Sequence, residues 1–192
     1  MDKIVAATGH RTKDLSGDPK VGKARITEEV RALADDGYNV FVSGMAIGVD
    51  QIFAESVITL MDEGLDIKLV AAIPFIGQTS TWGDDAKERW RRILRRAYRI
   101  HVVQTSADYE VDEIIELEEE AKPQAHHVVV GALFGRNKWM VDLASKVLAV
   151  WNGSKTGGTA NCVAYAKKQR RPIRWIKPPD FEASDILPEE TT

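Results

Sequence analysis

The sequence predicts a three-layer α/β fold around a mainly parallel sheet of about six strands. Three observations carry that expectation. Short, continuously apolar runs alternate with longer segments whose apolar residues recur at helical spacing. The runs do not alternate apolar with polar residues, which is the pattern of strands covered on both faces. Each run ends in a cluster of Gly, Ser, Thr or Pro, the residues that close strands and open loops.

Ile4-Val5-Ala6-Ala7 is the first run, a buried strand leading into Thr8-Gly9-His10-Arg11. After a polar stretch with Gly17, Pro19 and Gly22, a helix is expected over residues 23–36. There Ile26, Val30, Leu33 and Ala34 share a face, and Gly37 supplies the stop. Val40-Phe41-Val42 is the second strand, followed by Ser43-Gly44. Residues 50–61 read as a helix with Ile52, Phe53, Val57, Leu60 and Met61 apolar, and residues 67–73 as a third strand stopped by Pro74. Residues 84–97 are expected to be helical and Ile100-His101-Val102-Val103 a fourth strand. An acidic stretch spans 108–120 and breaks at Pro123. Residues 125–144 read as mostly helical, against Gly131 and Gly135. Val147-Leu148-Ala149-Val150-Trp151 is the fifth strand, 159–169 a helix and 172–176 the sixth strand. The tail after Lys177 holds three prolines and several acids and is expected to fray.

A chain of 192 residues is expected to form one domain, here residues 1–178, followed by an acidic, proline-containing tail at 179–192. No repeat of fixed period is visible. A net charge of -3 and a pI of about 5.9 argue against a general nucleic-acid coat. The single cysteine, Cys162, excludes an intramolecular disulfide and any Cys-rich zinc site. His126-His127 lacks companions at metal-ligand spacing, so no metal is expected. No apolar run approaches the roughly 20 residues of a membrane helix. The first residues lack a signal-peptide core, so the expected setting is cytoplasmic.

In open parallel sheets ligands bind outside the carboxyl ends of the strands. The loop after the fifth strand, Asn152-Gly153-Ser154-Lys155-Thr156-Gly157-Gly158-Thr159, carries the strongest signal. Its glycines let a ligand reach the backbone, Thr159 is expected to cap the next helix, and a helix N-terminus suits a phosphate. The loop after the second strand repeats this design with Gly44, Gly48 and Asp50. Asp50 suits two compatible roles, accepting from ribose hydroxyls or capping the helix. Arg11 has the planar fork that pairs with phosphate. His10 reads first as a structural donor. Phe75 and Trp82 suit packing or stacking on a base.

These motifs, taken together, resemble a known family. Thr8-Gly9-His10-Arg11, Ser43-Gly44-Met45-Ala46-Ile47-Gly48-Val49-Asp50, Pro74-Phe75-Ile76-Gly77-Gln78, Arg136-Asn137 with Met140-Val141-Asp142, and Trp151-Asn152-Gly153 with Gly157-Gly158-Thr159-Ala160 resemble the YpsA-like branch of the SLOG superfamily. That superfamily includes the DNA-processing protein DprA and the lonely-guy phosphoribohydrolases. The resemblance implies a Rossmann-like sandwich and a nucleotide-derived ligand over the glycine loop. It implies a ligand-binding set of Thr8, Gly9, His10, Arg11, Ser43, Gly44, Gly48, Asp50, Pro74, Phe75, Gln78, Trp82, Arg136, Asn137, Asn152, Gly153, Gly157, Gly158 and Thr159. Within it, Gly157, Gly158 and Thr159 are expected on phosphate, and Arg11 and Arg136 add charge. Ser43, Gly44 and Asp50 are expected on ribose, and Gln78 and Trp82 near the base.

In the lonely-guy enzymes a Glu stands three residues beyond the Thr of the glycine loop; here that position is Cys162. The loop's proline and third glycine are also absent. A neutral thiol replaces a carboxylate poorly in such a mechanism, so the departure counts against hydrolysis and leaves binding intact. The expected function is therefore to bind a nucleotide derivative of the ADP-ribose, cyclic ADP-ribose, NAD or AMP class, as a sensor or sequestering protein. The alternative is an N-glycosidic hydrolase, with Arg136 and Asp50 as its candidate catalytic residues. A lesser alternative, a DprA-like DNA binder, rests on Arg92, Arg95, Arg96 and Arg99, which recur opposite Trp90, Ile93, Leu94 and Ala97. No cofactor, no membrane and no nucleic-acid partner are expected, and a homo-oligomer is.

Overall fold

A computed structural model describes residues 2–11 and 15–188. Its strands are β1 (Ile4–Gly9), β2 (Val40–Ser43), β3 (Lys68–Ile73), β4 (Arg99–Val102), β5 (Ala107–Asp108), β6 (Lys146–Val150), β7 (Ile173–Lys177) and β8 (Glu182–Ile186). Its helices are α1 (Pro19–Asp35), α2 (Val49–Asp62), α3 (Asp84–Leu94), α4 (Val111–Glu120), α5 (His126–Leu143) and α6 (Gly158–Lys168). The strands form one sheet in the order β5-β4-β3-β2-β1-β6-β7-β8. Every pairing is parallel except β4 with β5 and β7 with β8.

Alternate residues of each strand enter opposite layers, as the pleat requires. Val5 and Ala7 join the core made with α1, α2, α3 and Ile114 of α4, whereas Ala6 packs with Met140 of α5. In β6, Leu148 and Val150 face the first layer, and Val147 and Ala149 face Cys162 and Val163 of α6. Both faces of the sheet are thus covered, which explains the unbroken apolar runs.

The sheet has eight strands rather than six, and both additions are antiparallel edge strands with no apolar run to announce them. β5 is two residues long and lies inside the acidic stretch. β8 lies in the tail expected to fray, with only polar or small residues between Glu182 and Ile186. It is held by backbone pairing to β7 and by Asp185, whose carboxylate lies 3.2 Å from Arg174 and 3.5 Å from Lys146. Phe181 ahead of it is buried over Gly17 and Gly22, where a Cβ would lie 2.8 Å from its ring. Residues 189–192 of the expected tail lie outside the described residues.

Two helix boundaries also move. α1 starts at Pro19, ahead of residue 23, because the Asp18 carboxylate accepts from the Lys20 amide and Pro19 suits the first helical position. α3 stops at Leu94, where the chain turns so that the Tyr98 amide donates to the Leu69 carbonyl and begins β4.

The chain runs outward from β1 through β2, β3 and β4, then returns to place β6 on the other side of β1. The loops leaving β1 and β6 therefore diverge at their carboxyl ends. That topological switch point opens a crevice between them.

Candidate functional site

The crevice begins with the close approach of β1 to α2. A Cβ on Gly9 would lie 2.5 Å from the Cβ of Val49, so only glycine lets the helix start here. The Val49 amide donates to the His10 carbonyl at 3.1 Å. The Asn152 amide donates to His10 Nε2 at 3.1 Å. The His10 ring therefore accepts at Nε2, which leaves Nδ1 as the nitrogen that carries the proton and can donate. It ties the β1 loop to the β6 loop.

The β2 loop is organised from within. Ser43 Oγ donates to the Asp50 carbonyl at 2.7 Å and accepts from the Met45 amide at 3.2 Å, and the residue is fully buried. Its hydroxyl is therefore spent on closing the loop. Asp50 Oδ2 lies 2.9 Å from Arg136 Nη1, with both side chains more than nine-tenths buried. Oδ2 also accepts weakly from the Ala46 amide at 3.4 Å. Burial pushes the Asp50 carboxyl up, and the Arg136 guanidinium pulls against it.

Gly44 explains how Arg136 reaches this carboxylate. A Cβ at Gly44 would stand 1.1 Å from Arg136 Nη1 and 2.2 Å from its Cζ. The space beside the Gly44 backbone is taken by the chain's own guanidinium, not kept for a ligand.

The β6 loop folds on short polar contacts. The Ser154 amide donates to Asn152 Oδ1 at 3.0 Å, and Trp151 Nε1 to the Ser154 carbonyl at 3.0 Å. Gly157, at φ +98°, is the N-cap of α6 and no side chain caps that helix. Thr159 lies one position inside the helix and is not its cap, contrary to expectation. The first-turn amides of α6 therefore meet the crevice without a side-chain acceptor, at the positive end of the helix dipole. Asn137 Nδ2 donates to the Gly158 carbonyl at 3.4 Å. Cys162, beneath Thr8, is buried and its thiol is pushed up to about 11 by burial, against a hydrogen bond from Thr8 and the charge of Arg136.

Two cavities lie on this rim. The first, of about 450 Å³, is lined by Thr8, Gly9, His10, Arg11, Asp50, Arg136, Asn137, Asn152, Gly157, Gly158 and Thr159 from the expected set. The second, of about 410 Å³, is lined by Arg11 again with Phe75, Gln78 and Trp82. Ser43, Gly44, Gly48, Pro74 and Gly153 line neither. Gly48, at φ +113°, serves as the N-cap of α2. Outside the expected set, Ala46, Ile47 and Leu133 line both cavities and Ser154 and Thr156 line the first; all but Leu133 belong to the two glycine-bearing loops singled out from the sequence, and Leu133 lies in none of its motifs. Leu133 precedes Arg136 by one helical turn, a spacing that places the two on one face. Among the described residues, Asp50 is the only carboxylate lining either cavity.

Three of the four arginines in the stripe are answered by acids of the same chain. Arg96 lies 2.6 Å from Asp62, Arg99 3.0 Å from Asp108 and Arg95 3.8 Å from Glu88. Among the described residues, no group of three or more His, Cys, Asp or Glu side chains is placed to hold a metal ion. Among the same residues no helix is long and apolar enough to cross a membrane.

Fold and crevice define a Rossmann-like α/β protein whose candidate site lies at the switch point of its sheet. The model of the YspA SLOG family matches residues 5–115, more than half of the chain, and the chain belongs to that family. It is 33% identical over 147 residues to the SPbeta prophage-derived protein YoqJ of Bacillus subtilis (strain 168), covering 73% of this chain and 77% of that one. It is 27% identical over 174 residues to UPF0398 proteins of Bacillus cereus (strain G9842) and Bacillus thuringiensis (strain Al Hakam), covering 87% of this chain and 84% of each. The solved structure of TM1055, a structural-genomics target, covers 89% of this chain and 72% of its own at 16% identity, with a TM-score of 0.49. The family match ends before Arg136 and the β6 loop.

Proposed function

We propose that the protein binds a nucleotide-derived small molecule of the ADP-ribose, cyclic ADP-ribose, NAD or AMP class and holds it without turnover. Membership of the SLOG family supports a nucleotide-related function. The observation that carries the finer reading is the adjacency of the two cavities, which share Arg11, Ala46, Ile47 and Leu133 in their walls. A trough of this kind suits a ligand with a phosphate at one end and a ring at the other. The uncapped α6 N-terminus and Arg11 suit the phosphate. Trp82, half-buried in the second cavity, suits the ring.

Binding is favoured over hydrolysis by the state of the acids. Asp50 is already engaged by Arg136, and no second carboxylate lines the trough among the described residues. The Cys162 thiol is neutral near pH 7 and buried under Thr8. Glycosidic hydrolysis by a pair of carboxylates would need a second acid there.

Calorimetric titration with ADP-ribose, NAD, AMP and cyclic ADP-ribose, followed by chromatography of the recovered ligand, tests this. Binding with intact ligand is the expected result. Release of a free base or nicotinamide would establish the hydrolase instead. Absence of binding to all four would overturn the reading.

A further inference from the structure

We propose that Glu118, a buried residue of α4 outside both cavities, is the positioning residue for the ring-binding half of the trough. The proposal rests on the reading of the site just given. Glu118 is 5% exposed. Its Oε1 accepts from the amides of Gly77 at 2.8 Å and Gln78 at 3.2 Å. Its Oε2 accepts from the Thr79 amide at 2.9 Å and the Thr79 hydroxyl at 2.7 Å. Three successive amides thus converge on one carboxylate, the arrangement of an anion-binding nest. The anion is a side chain brought from 39 to 41 residues away in sequence.

The grip is passed directly to the cavity wall. The Thr79 carbonyl accepts from the Trp82 amide at 2.8 Å, and the Gly77 carbonyl accepts from the Ser80 amide at 3.1 Å. Gln78, Ser80 and Trp82 all line the second cavity. The segment just after α4 holds the same loop from a second point, where Gln124 Nε2 donates to the Ile76 carbonyl at 3.1 Å. Gly77, at φ +102°, packs so closely that a Cβ there would lie 3.2 Å from the Ala121 methyl. The loop between β3 and α3 has no regular structure over this stretch, so its shape depends on these contacts. Charge-assisted bonds in a water-poor setting are the strong kind, and a single buried carboxylate serves four donors here.

The conservative variant separates charge from packing. In Glu118→Gln the amide oxygen still serves one pair of donors, but the NH2 group faces the other, a donor against a donor. Glu118→Ala removes both. ADP-ribose is the two-part probe and ribose 5-phosphate the probe without a base. Expected for ADP-ribose is an affinity loss of about tenfold in Glu118→Ala and a smaller loss in Glu118→Gln, with ribose 5-phosphate affinity unchanged. In a Trp82→Ala background the Glu118→Gln loss should shrink, because one of the groups being positioned is gone. Amide exchange of residues 77–79 should speed up in both variants while the rest of the sheet stays protected. This readout needs no ligand and separates a local effect from unfolding. Equal losses for both probes, or unchanged exchange at 77–79, would overturn the role of Glu118 alone. If the unsubstituted protein binds neither probe, the reading of the site fails and this proposal with it.

Discussion

Gly44 and Arg136 occupy one another's space: the guanidinium sits where the Cβ of any other residue at position 44 would be, 1.1 Å from its Nη1. From that niche Arg136 meets Asp50, 86 residues away in sequence, at 2.9 Å. A guanidinium, a carboxylate and a bare backbone therefore form one unit at the floor of the first cavity. Neither charge is tolerable there alone, because breaking a buried pair leaves the other partner desolvated.

Gly44→Ala should therefore act like a lesion in Arg136. The added methyl must expel the guanidinium, and the expected cost is about 3 kcal/mol, with lost ligand binding. Arg136→Ala should cost a similar amount by stranding Asp50. The double variant should cost far less than the sum, since the methyl then has room. Thermal or denaturant unfolding of the four proteins gives the coupling, and strict additivity would refute the shared niche.

Gly158→Asp should separate binding from stability. Nothing lies within 4 Å of a Cβ built at Gly158, and the residue is helical. An acid in the first turn of a helix is favourable by about 0.3–1 kcal/mol. The variant should melt at or slightly above the parent temperature. It should bind no phosphate-bearing probe, because its carboxylate enters the space proposed for phosphate. A folded variant with parental affinity would remove the α6 N-terminus from the site.

Glu55 and Arg89 join α2 to α3 through two bonds, Nε to Oε1 at 2.7 Å and Nη2 to Oε2 at 2.9 Å. Burial is the largest single influence on Glu55 and pushes its carboxyl up, but Arg89 and the nearby Lys23 and Arg92 together hold it below its ordinary value. A depressed carboxyl contributes stability above its unfolded-state pKa and loses it as pH falls through the folded one. Glu55→Gln should therefore cost about 1 kcal/mol at neutral pH, and the gap to the parent should close below about pH 4. A gap independent of pH would assign the effect to packing.

Cys162 should be inert in the folded state. Its thiol is buried and pushed up to about 11, and the thiolate is the reactive form. Alkylation by iodoacetamide near neutral pH should be negligible until denaturant unfolds the chain, then rapid. Fast labelling of the native protein would show a thiolate at the site and reopen hydrolysis.

Much of the fold is legible locally. The central strands β1, β2, β3 and β6 each contain an unbroken apolar run, as a strand covered on both faces requires, whereas His101 interrupts β4 and Arg174 interrupts β7. β8 was not legible, because its pairing uses backbone groups and the side chain of Asp185, with no periodic apolar signal. The trough was legible in outline, through the loop ending at Thr159 and through Arg11. Its walls were less so: Ala46, Ile47 and Leu133 are ordinary apolar residues whose importance comes only from where the chain brings them.

The residues alone established the order of the six parallel strands and of helices α1, α2, α3, α5 and α6, together with the glycine-bearing start of α6 and the family motifs; β5, α4 and β8 were not read from them, α4 because its segment stood out only as an acidic stretch. Propensity, apolar spacing and turn chemistry are short-range, and they act within one element or one loop. Tertiary structure alone decided that Gly44 makes room for Arg136, that Ser43 is spent on its own loop and that Glu118 grips Gly77, Gln78 and Thr79. Each of these is a contact set by how the layers stack, and no local spacing encodes which distant side chain will fill a given space.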